Sequence, residues 1–592
     1  MLRPGSDRLS YSHLLAPPPD YYTDFALGTT YSLDLEAMLG IPMALFMSEE
    51  LGSSATQNPV AVLEGLRRST DNLAIFCEPG QIKIPHKNNT VYSLVENSVF
   101  QVHLSRGRSF HPKVWVIRYD GHQKDPIYRI IVLSRNLTFD RSWDMAVCLD
   151  GKKGDEPTEK NSPLQDFIGF LSLQTIHSRK KRQRIKNIQE EIGQVYFDPQ
   201  SQHVADFQFC PLGIAGHDKK SSSLFQSYKN LVIISPFLSK TPVKEFDSLA
   251  LSNASRTLIT RRAELPKLLP EHFESFQVYV MKELVAEGEE GLSEDELQAE
   301  VPQNQDIHAK FYARSKGSNH ALYFGSANCT QRAFDANVEF LLKLDYRKWG
   351  FKTADILEDI FGKDDKDNPF EKIESIPEGD FSDDDPADDL QRAIKELCRG
   401  KMQAQVISGE HQNFNIQIEL ERIPDKVCFT VSSLAGEQQE KLEKITVLQN
   451  IRLEHLSEFY KISASNNDLT VRRIIKIPTG NIPPERDKAV FKTIIKDRQA
   501  FLKYLSFLLS DSILITSMEQ FDADRLKTGK WKMQPVQNPV LYEHLLRTVA
   551  REPERLKEIE RVLGFIDDPE IVPEEFNPLF DKCRKASKRV KR

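Results

Sequence analysis

One polar pattern occurs twice in this chain, and the repeat constrains its fold more than any other feature. In the later copy His308 and Lys310 lead into an apolar run, which Lys316-Gly317-Ser318-Asn319 interrupts with turn-forming residues. Ala321 to Phe324 then runs into Gly325-Ser326-Ala327-Asn328. In the earlier copy His111 and Lys113 lead into Val114 to Tyr119, a polar loop passes Gly121, and Tyr128 to Leu133 runs into Ser134-Arg135-Asn136. Each copy reads as a two-stranded hairpin whose His and Lys, two residues apart, share a face. The likeness continues beyond the asparagines. Leu137-Thr138 matches Cys329-Thr330, a carboxylate follows (Asp144, Glu339), and an apolar strand comes next, Met145 to Leu149 or Phe340 to Leu344.

Imidazole, ammonium, hydroxyl and amide at a strand edge suit a phosphate: a nucleophile or acid, a fixed charge and hydrogen-bond donors. A single His-x-Lys carries little information. The same polar set on a duplicated hairpin has no role in packing a core.

Around the pattern short strands alternate with helices, as in α/β layers. Asn72 to Cys77 is predicted as a buried strand, and Leu231 to Phe237 as its match in the second half. Val243 to Leu249, Arg256 to Thr260 and Gln277 to Met281 continue as helix, strand and strand. The reading is an α/β fold of two pseudo-symmetric halves, 25–195 and 196–362, that share one active site. Residues 1–24 form an N-terminal arm. An acidic linker over 363–392 precedes a small β-rich domain, 393–480, in which Phe414, Ile416, Ile418 and Leu420 alternate; a helical region with a disordered basic tail, 481–592, completes the chain. Helices are predicted from Pro539 and from Pro553.

The pattern resembles the phospholipase D superfamily, whose signature is His-x-Lys followed by Ser-x-Asn, twice per active site. The resemblance covers about Tyr31 to Tyr346. An Asp usual five positions after the Lys is replaced by Arg118 and Ser315, a departure that looks like the tyrosyl-DNA phosphodiesterase branch and some bacterial nucleases. The resemblance implies a phosphohistidine mechanism with His111 as nucleophile, Glu339 orienting it and His308 as general acid. Lys113, Lys310, Asn136 and Asn328 would hold the phosphate with Ser134 and Ser326, and Asp144 would orient His308, with Asp140 as its competitor. His103, His122 and His320 lack partners and are bystanders.

The remaining features narrow the class. Neither cluster groups the carboxylates of a two-metal nuclease, so no metal or cofactor is expected. The net charge of −7 gives no global attraction to nucleic acid, so such binding rests on local patches. Arg179, Lys180, Lys181 and Arg182 are the candidate patch, read equally as a solvated face. Seven scattered cysteines without a CxxC pair, no signal peptide and no membrane-length apolar run point to the cytoplasm. The expected function is a metal-independent phosphodiesterase, foremost a bacterial nuclease acting on nucleic acid, DNA first, in restriction or anti-phage defence. A phospholipid or DNA-end phosphodiesterase is the enzyme alternative. The other is a nucleic-acid-binding scaffold whose C-terminal region serves a partner ATPase or helicase.

Overall fold

The computed structural model describes residues 11–47, 59–86, 89–121, 123–138, 142–176, 178–282, 306–362, 368–375, 386–409, 413–425, 427–436, 438–466, 469–509, 545–546, 548–549, 555–566, 570–574 and 576–590. His122, Asp140 and the helix expected from Pro539 lie outside them.

Two sheets carry the repeat. The first contains Tyr21–Thr30 (β1), Leu73–Cys77 (β2), Val99–Gln101 (β3), Val114–Gly121 (β4), Lys124–Leu133 (β5), Ala146–Lys153 (β6) and Val195–Asp198 (β7), in the order β7-β6-β5-β4-β1-β2-β3. The second contains Val204–Leu212 (β8), Tyr228–Ile234 (β9), Ala250–Thr260 (β10), Gln277–Met281 (β11), Phe311–Lys316 (β12), Asn319–Gly325 (β13), Glu339–Tyr346 (β14) and Phe370–Ile373 (β15), in the order β8-β14-β13-β12-β9-β10-β11-β15. Both orders express one topology. An antiparallel meander (β4-β5-β6 or β12-β13-β14) meets a central strand, β1 or β9, whose other neighbours run parallel. The duplication is a property of whole sheets. It also corrects one correspondence: β9 matches β1, and β2 matches β10. All four strands are buried over their last residues, so sequence alone does not separate them; pairing does.

The sheets meet across a shared core. Phe76, Val116 and Ile130 approach from one side, Ile234, Phe311 and Phe340 from the other. Helices Ser162–Leu173 (α1) and Arg179–Ile192 (α2) close it, with Phe167 of α1 at 4.9 Å from Phe340 between ring centroids. Helix α2 buries Ile185, Ile188 and Ile192 at helical spacing. Lys181 falls on that buried stripe. Its ammonium donates to Leu73 O and Asn97 O, both at 2.7 Å, and to Ser98 Oγ at 3.2 Å. Contrary to the expectation for the basic run, Lys181 ties down the fold and is turned away from any phosphate backbone. Lys180 pairs with Asp71, Arg182 is half-buried, and Arg179 is exposed.

The outer face of the first sheet is covered by the chain's own C-terminal helices. Phe491, Phe501, Tyr504, Ile559 and Phe580 share a core with Ile75, Trp115 and Ile117. These apolar residues of the C-terminal helices are therefore occupied within the chain. The basic tail is helical over Phe576–Val590, with Cys583 buried, where disorder was expected. The described part of the N-terminal arm is also tied down: Trp115 Nε1 donates to Tyr11 Oη at 2.7 Å, and Tyr119 Oη to Leu15 O at 2.9 Å.

Within 363–392 the described residues supply β15 at a sheet edge and most of helix Pro386–Cys398 (α3). Helix α3 packs on Phe459–Asn466 and Leu469–Lys476, strands of the following β-rich unit. Ile474 of that unit pairs with Ile82, so the C-terminal sheet is hydrogen-bonded to the first half.

Gly325, at φ 151°, lets the turn into Ser326 pass the β14 backbone; a Cβ there would lie 2.1 Å from Phe340 O. Gly325→Ala is expected to cost about 3 kcal/mol, against about 1 kcal/mol for Gly107→Ala, where only the backbone angle is at stake. Chemical denaturation checks the difference; equal losses would refute the close approach.

Candidate active site

Each histidine enters the cleft on a segment paired with the opposite half. The His111 amide donates to Val338 O and the Val338 amide to Ser109 O, both at 2.9 Å. Asp306–Ile307 runs beside Ser142–Trp143, and the His308 and Ala309 amides both donate to Trp143 O, at 3.0 and 2.9 Å. The segment ahead of Glu339 thus holds His111, and the segment ahead of Asp144 holds His308. This exchange brings both sets into one site.

The lysines are buried beside their histidines. Lys113 Nζ donates to His111 O at 2.9 Å; Lys310 Nζ donates to His308 O at 2.5 Å and, across the halves, to Ser134 O at 3.3 Å. Asn136 Oδ1 accepts the Ser32 amide at 3.4 Å, while Asn328 Oδ1 is buried without a partner among the described residues.

The two serines differ from their expected role. Ser326 Oγ donates to Glu339 at 2.5 Å and accepts the Phe340 amide at 2.9 Å; Ser134 Oγ donates to Asp144 at 3.1 Å and accepts the Met145 amide at 2.9 Å. Both hydroxyls are sealed from solvent. They brace the carboxylates and do not face a phosphate.

Those carboxylates are equivalent in position and unequal in reach. Glu339 accepts from Ser326, from Asn337 Nδ2 at 3.2 Å and from His111 Nδ1 at 2.9 Å. Asp144 accepts from Ser134 and from Ser142 Oγ at 2.6 Å, and stops there. His308 Nδ1 is buried with no hydrogen-bond partner among the described residues. The expectation that Asp144 orients His308 is therefore wrong: its side chain is one methylene shorter than glutamate, and both oxygens are engaged by serines. With Glu339 as acceptor, His111 carries its proton on Nδ1 and keeps the Nε2 lone pair for chemistry.

Burial pushes His111 down to about 4, with Glu339 opposing and Lys113 and Lys310 adding to the fall. Burial takes His308 further, to about 2, helped by Lys310, Arg261 and Lys113. Burial and Lys310 hold Lys113 well below its ordinary value. The site is thus short of negative charge, and an entering phosphate anion relieves that imbalance.

The sequence reading missed the residues flanking each His. The Tyr31 ring lies 5.0 Å from the His111 ring, and Lys395 of α3 sits 4.9 Å over Tyr31. Lys395 also pairs with Glu78 at 3.1 Å, and Glu78 accepts the Phe110 amide at 2.6 Å. The matching position in the second half holds Arg261, whose Nε donates to Ile307 O at 3.2 Å and whose guanidinium lies 4.6 Å over Phe237. A carboxylate supports one histidine segment and a guanidinium the other. The only sequence signal was a charged residue straight after each buried parallel strand. At the positions of the missing Asp, Arg118 pairs with Asp24 and Asp120, and Ser315 bonds Thr353. His103 lies beside Glu78 and Lys395 at the edge of α3, and His320 bonds Ser315 at 3.0 Å. Among the described residues no three His, Cys, Asp or Glu side chains group to hold a metal, and no helix is long and apolar enough to cross a membrane.

No family model matches the sequence, and no curated protein matches it. Among solved structures, a yeast tyrosyl-DNA phosphodiesterase is 11% identical, with a TM-score of 0.35 over 57% of this chain and 85% of that one. Phosphatidylserine synthase of Haemophilus influenzae Rd KW20 is 12% identical, at 0.33 over 65% and 88%. NucT from Helicobacter pylori is 16% identical, at 0.19 over 26% and 91%.

The unequal carboxylates predict unequal variants. Glu339→Gln is expected to lower kcat on a phosphodiester by about 10³-fold or more, whereas Asp144→Asn stays within about tenfold of wild type. Similar losses for both, in steady-state assays of folded protein, would remove the asymmetry. The charge beside His308 predicts a pH effect. Arg261→Gln removes a cation, favours protonated His308 and moves the alkaline limb of the kcat profile, which reports the substrate-bound state, to higher pH. A limb that stays put or moves down would exclude His308 as the acid.

Proposed function

We propose that this chain is a phosphodiesterase of the phospholipase D type that cleaves nucleic-acid phosphodiester bonds through a phosphohistidine on His111. One observation carries the reading: two His-Lys-Asn sets meet in one site, and only one of the two imidazoles is braced by a carboxylate. A neutral imidazole avoids the repulsion an anionic nucleophile meets at a phosphodiester. His111 Nε2 attacks phosphorus, the P–N bond forms, the P–O bond to the leaving group breaks, and protonated His308 gives its proton to the departing oxygen. His308, now neutral, takes a proton from water; the resulting hydroxide attacks phosphorus, the P–N bond breaks and His111 is restored. Lys113 and Lys310 offset the charge on the non-bridging oxygens, with Asn136 and Asn328 as donors to them. These steps use side chains of the chain alone. Restriction or anti-phage defence is the cellular role this nuclease reading fits, and a partner ATPase or helicase would have to dock on surface other than the buried C-terminal stripes.

The test incubates purified protein with labelled single- and double-stranded DNA, RNA and phosphatidylcholine, each with and without chelator. Cleavage of nucleic acid in chelator is expected. His111→Ala and His308→Ala should each lose about 10³-fold or more, and the double variant should be no worse than either. Acid quenching of wild type should trap a phosphoramidate on His111. Trapping it on His308, lipid cleavage alone, or cleavage that stops fully in chelator would overturn the proposal.

A further inference from the structure

Close to His111, where the first half meets the C-terminal unit, positive charge accumulates that the catalytic steps do not use. Glu396 of α3 pairs with Arg399 at 2.7 Å and with Arg422 at 2.9 Å, and Arg106 also acts on it electrostatically. Together these arginines, Arg399 first, hold its carboxyl below the usual range. Arg108 lines the same small cleft as Lys395 and Arg399; its guanidinium donates to Ala336 O and Gly213 O and has no carboxylate partner among the described residues. Glu78, on the cleft's inner wall, is already engaged by Lys395. Three guanidinium groups thus act on Glu396, and that of Arg108 meets only carbonyl oxygens.

The placement matters as much as the charge. Arg108 lies three residues ahead of His111, so extended backbone puts the two within about 10 Å, the separation of a few phosphates along a strand. Arg106 is exposed, and the Arg422 side chain is 52% exposed. None of the most exposed large apolar groups among the described residues, Trp349, Ile176 and Ile445, lines the cleft, which so lacks the apolar anchor that a lipid surface rewards.

We infer that the basic surface around the small cleft between loop 102–109 and α3 is a second phosphate subsite, at which Arg108 and Arg399 of the cleft and the neighbouring Arg106 and Arg422 grip the backbone of a nucleic-acid strand flanking the phosphate at His111. The inference rests on the phosphodiesterase reading and deepens it: the C-terminal unit makes the enzyme one for polymers. Planar guanidinium forks suit phosphate oxygens, and Arg106 and Arg422 present theirs to solvent.

The test compares wild type with the combined Arg106→Gln, Arg399→Gln, Arg422→Gln variant on two substrates, a single-stranded oligodeoxynucleotide and bis(p-nitrophenyl) phosphate. The ratio of kcat/KM for the oligonucleotide to that for the small diester is expected to fall about tenfold or more, mostly through KM. In the His111→Ala background, the salt dependence of oligonucleotide binding should flatten by about 0.7 in slope for each phosphate that is no longer neutralised. Should the triple variant fail to fold by circular dichroism, Arg422→Gln alone, at a half-exposed position, serves in both measurements. An unchanged ratio together with an unchanged slope overturns the subsite. If wild type cleaves neither substrate, the catalytic reading fails, and the binding slope still decides the subsite by itself.

Discussion

The hydrogen bond between Glu339 and His111 joins the two halves, and the rest of the site depends on it. Glu339 is fully buried, a situation that costs several kcal/mol unless the charge is compensated. Compensation comes from Ser326 and Asn337 of its own half and from His111 of the other. The bond to His111 cannot form unless the Ser109–His111 segment lies along Val338, so backbone pairing between halves precedes the chemistry. The same pairing occurs on the opposite side, where Trp143 O collects two amides from the His308 segment.

Much of this arrangement was legible in the chain because hairpins and polar spacing are local properties. His111, Lys113, Asn136 and their later counterparts lie where strand ends meet turns, and period-two alternation places them without long-range information. What escaped were properties of atoms and distances. Ser134 and Ser326 have the right residue type for phosphate contact, yet the backbone amides of Met145 and Phe340 and the adjacent carboxylates claim their hydroxyls. Asp144 and Glu339 occupy equivalent positions, and only the three-dimensional arrangement shows that one methylene separates a brace from a bystander.

Long-range packing hid the rest. Lys181 reads as one member of a basic run because charge is visible in sequence and helical phase relative to a neighbouring sheet is not; its ammonium replaces water with three oxygens at strand ends. The C-terminal helices read as either a packing or a partner-docking unit because their apolar stripes are evident and their cover, the outer face of the first sheet, lies hundreds of residues earlier. Lys395 belongs to the same class. Nothing near α3 announces Glu78 or Tyr31 as its partners.

A duplicated fold tends toward two equal halves, whereas a two-step displacement needs unequal histidines: one neutral to attack, one protonated to release the leaving group. Small departures from symmetry here supply the difference that the proposed mechanism calls for. The longer Glu339 gives His111 an acceptor on Nδ1, and the shorter Asp144 leaves His308 without one. Glu78 stands beside the first segment with its charge met by Lys395, while its counterpart Arg261 depresses His308. His308 therefore holds a proton poorly in the empty site and regains one most readily when an anion sits between the two lysines. Under the proposed mechanism the acid would become competent only as an anion arrives, through one missing methylene and one exchanged charge on an otherwise repeated scaffold.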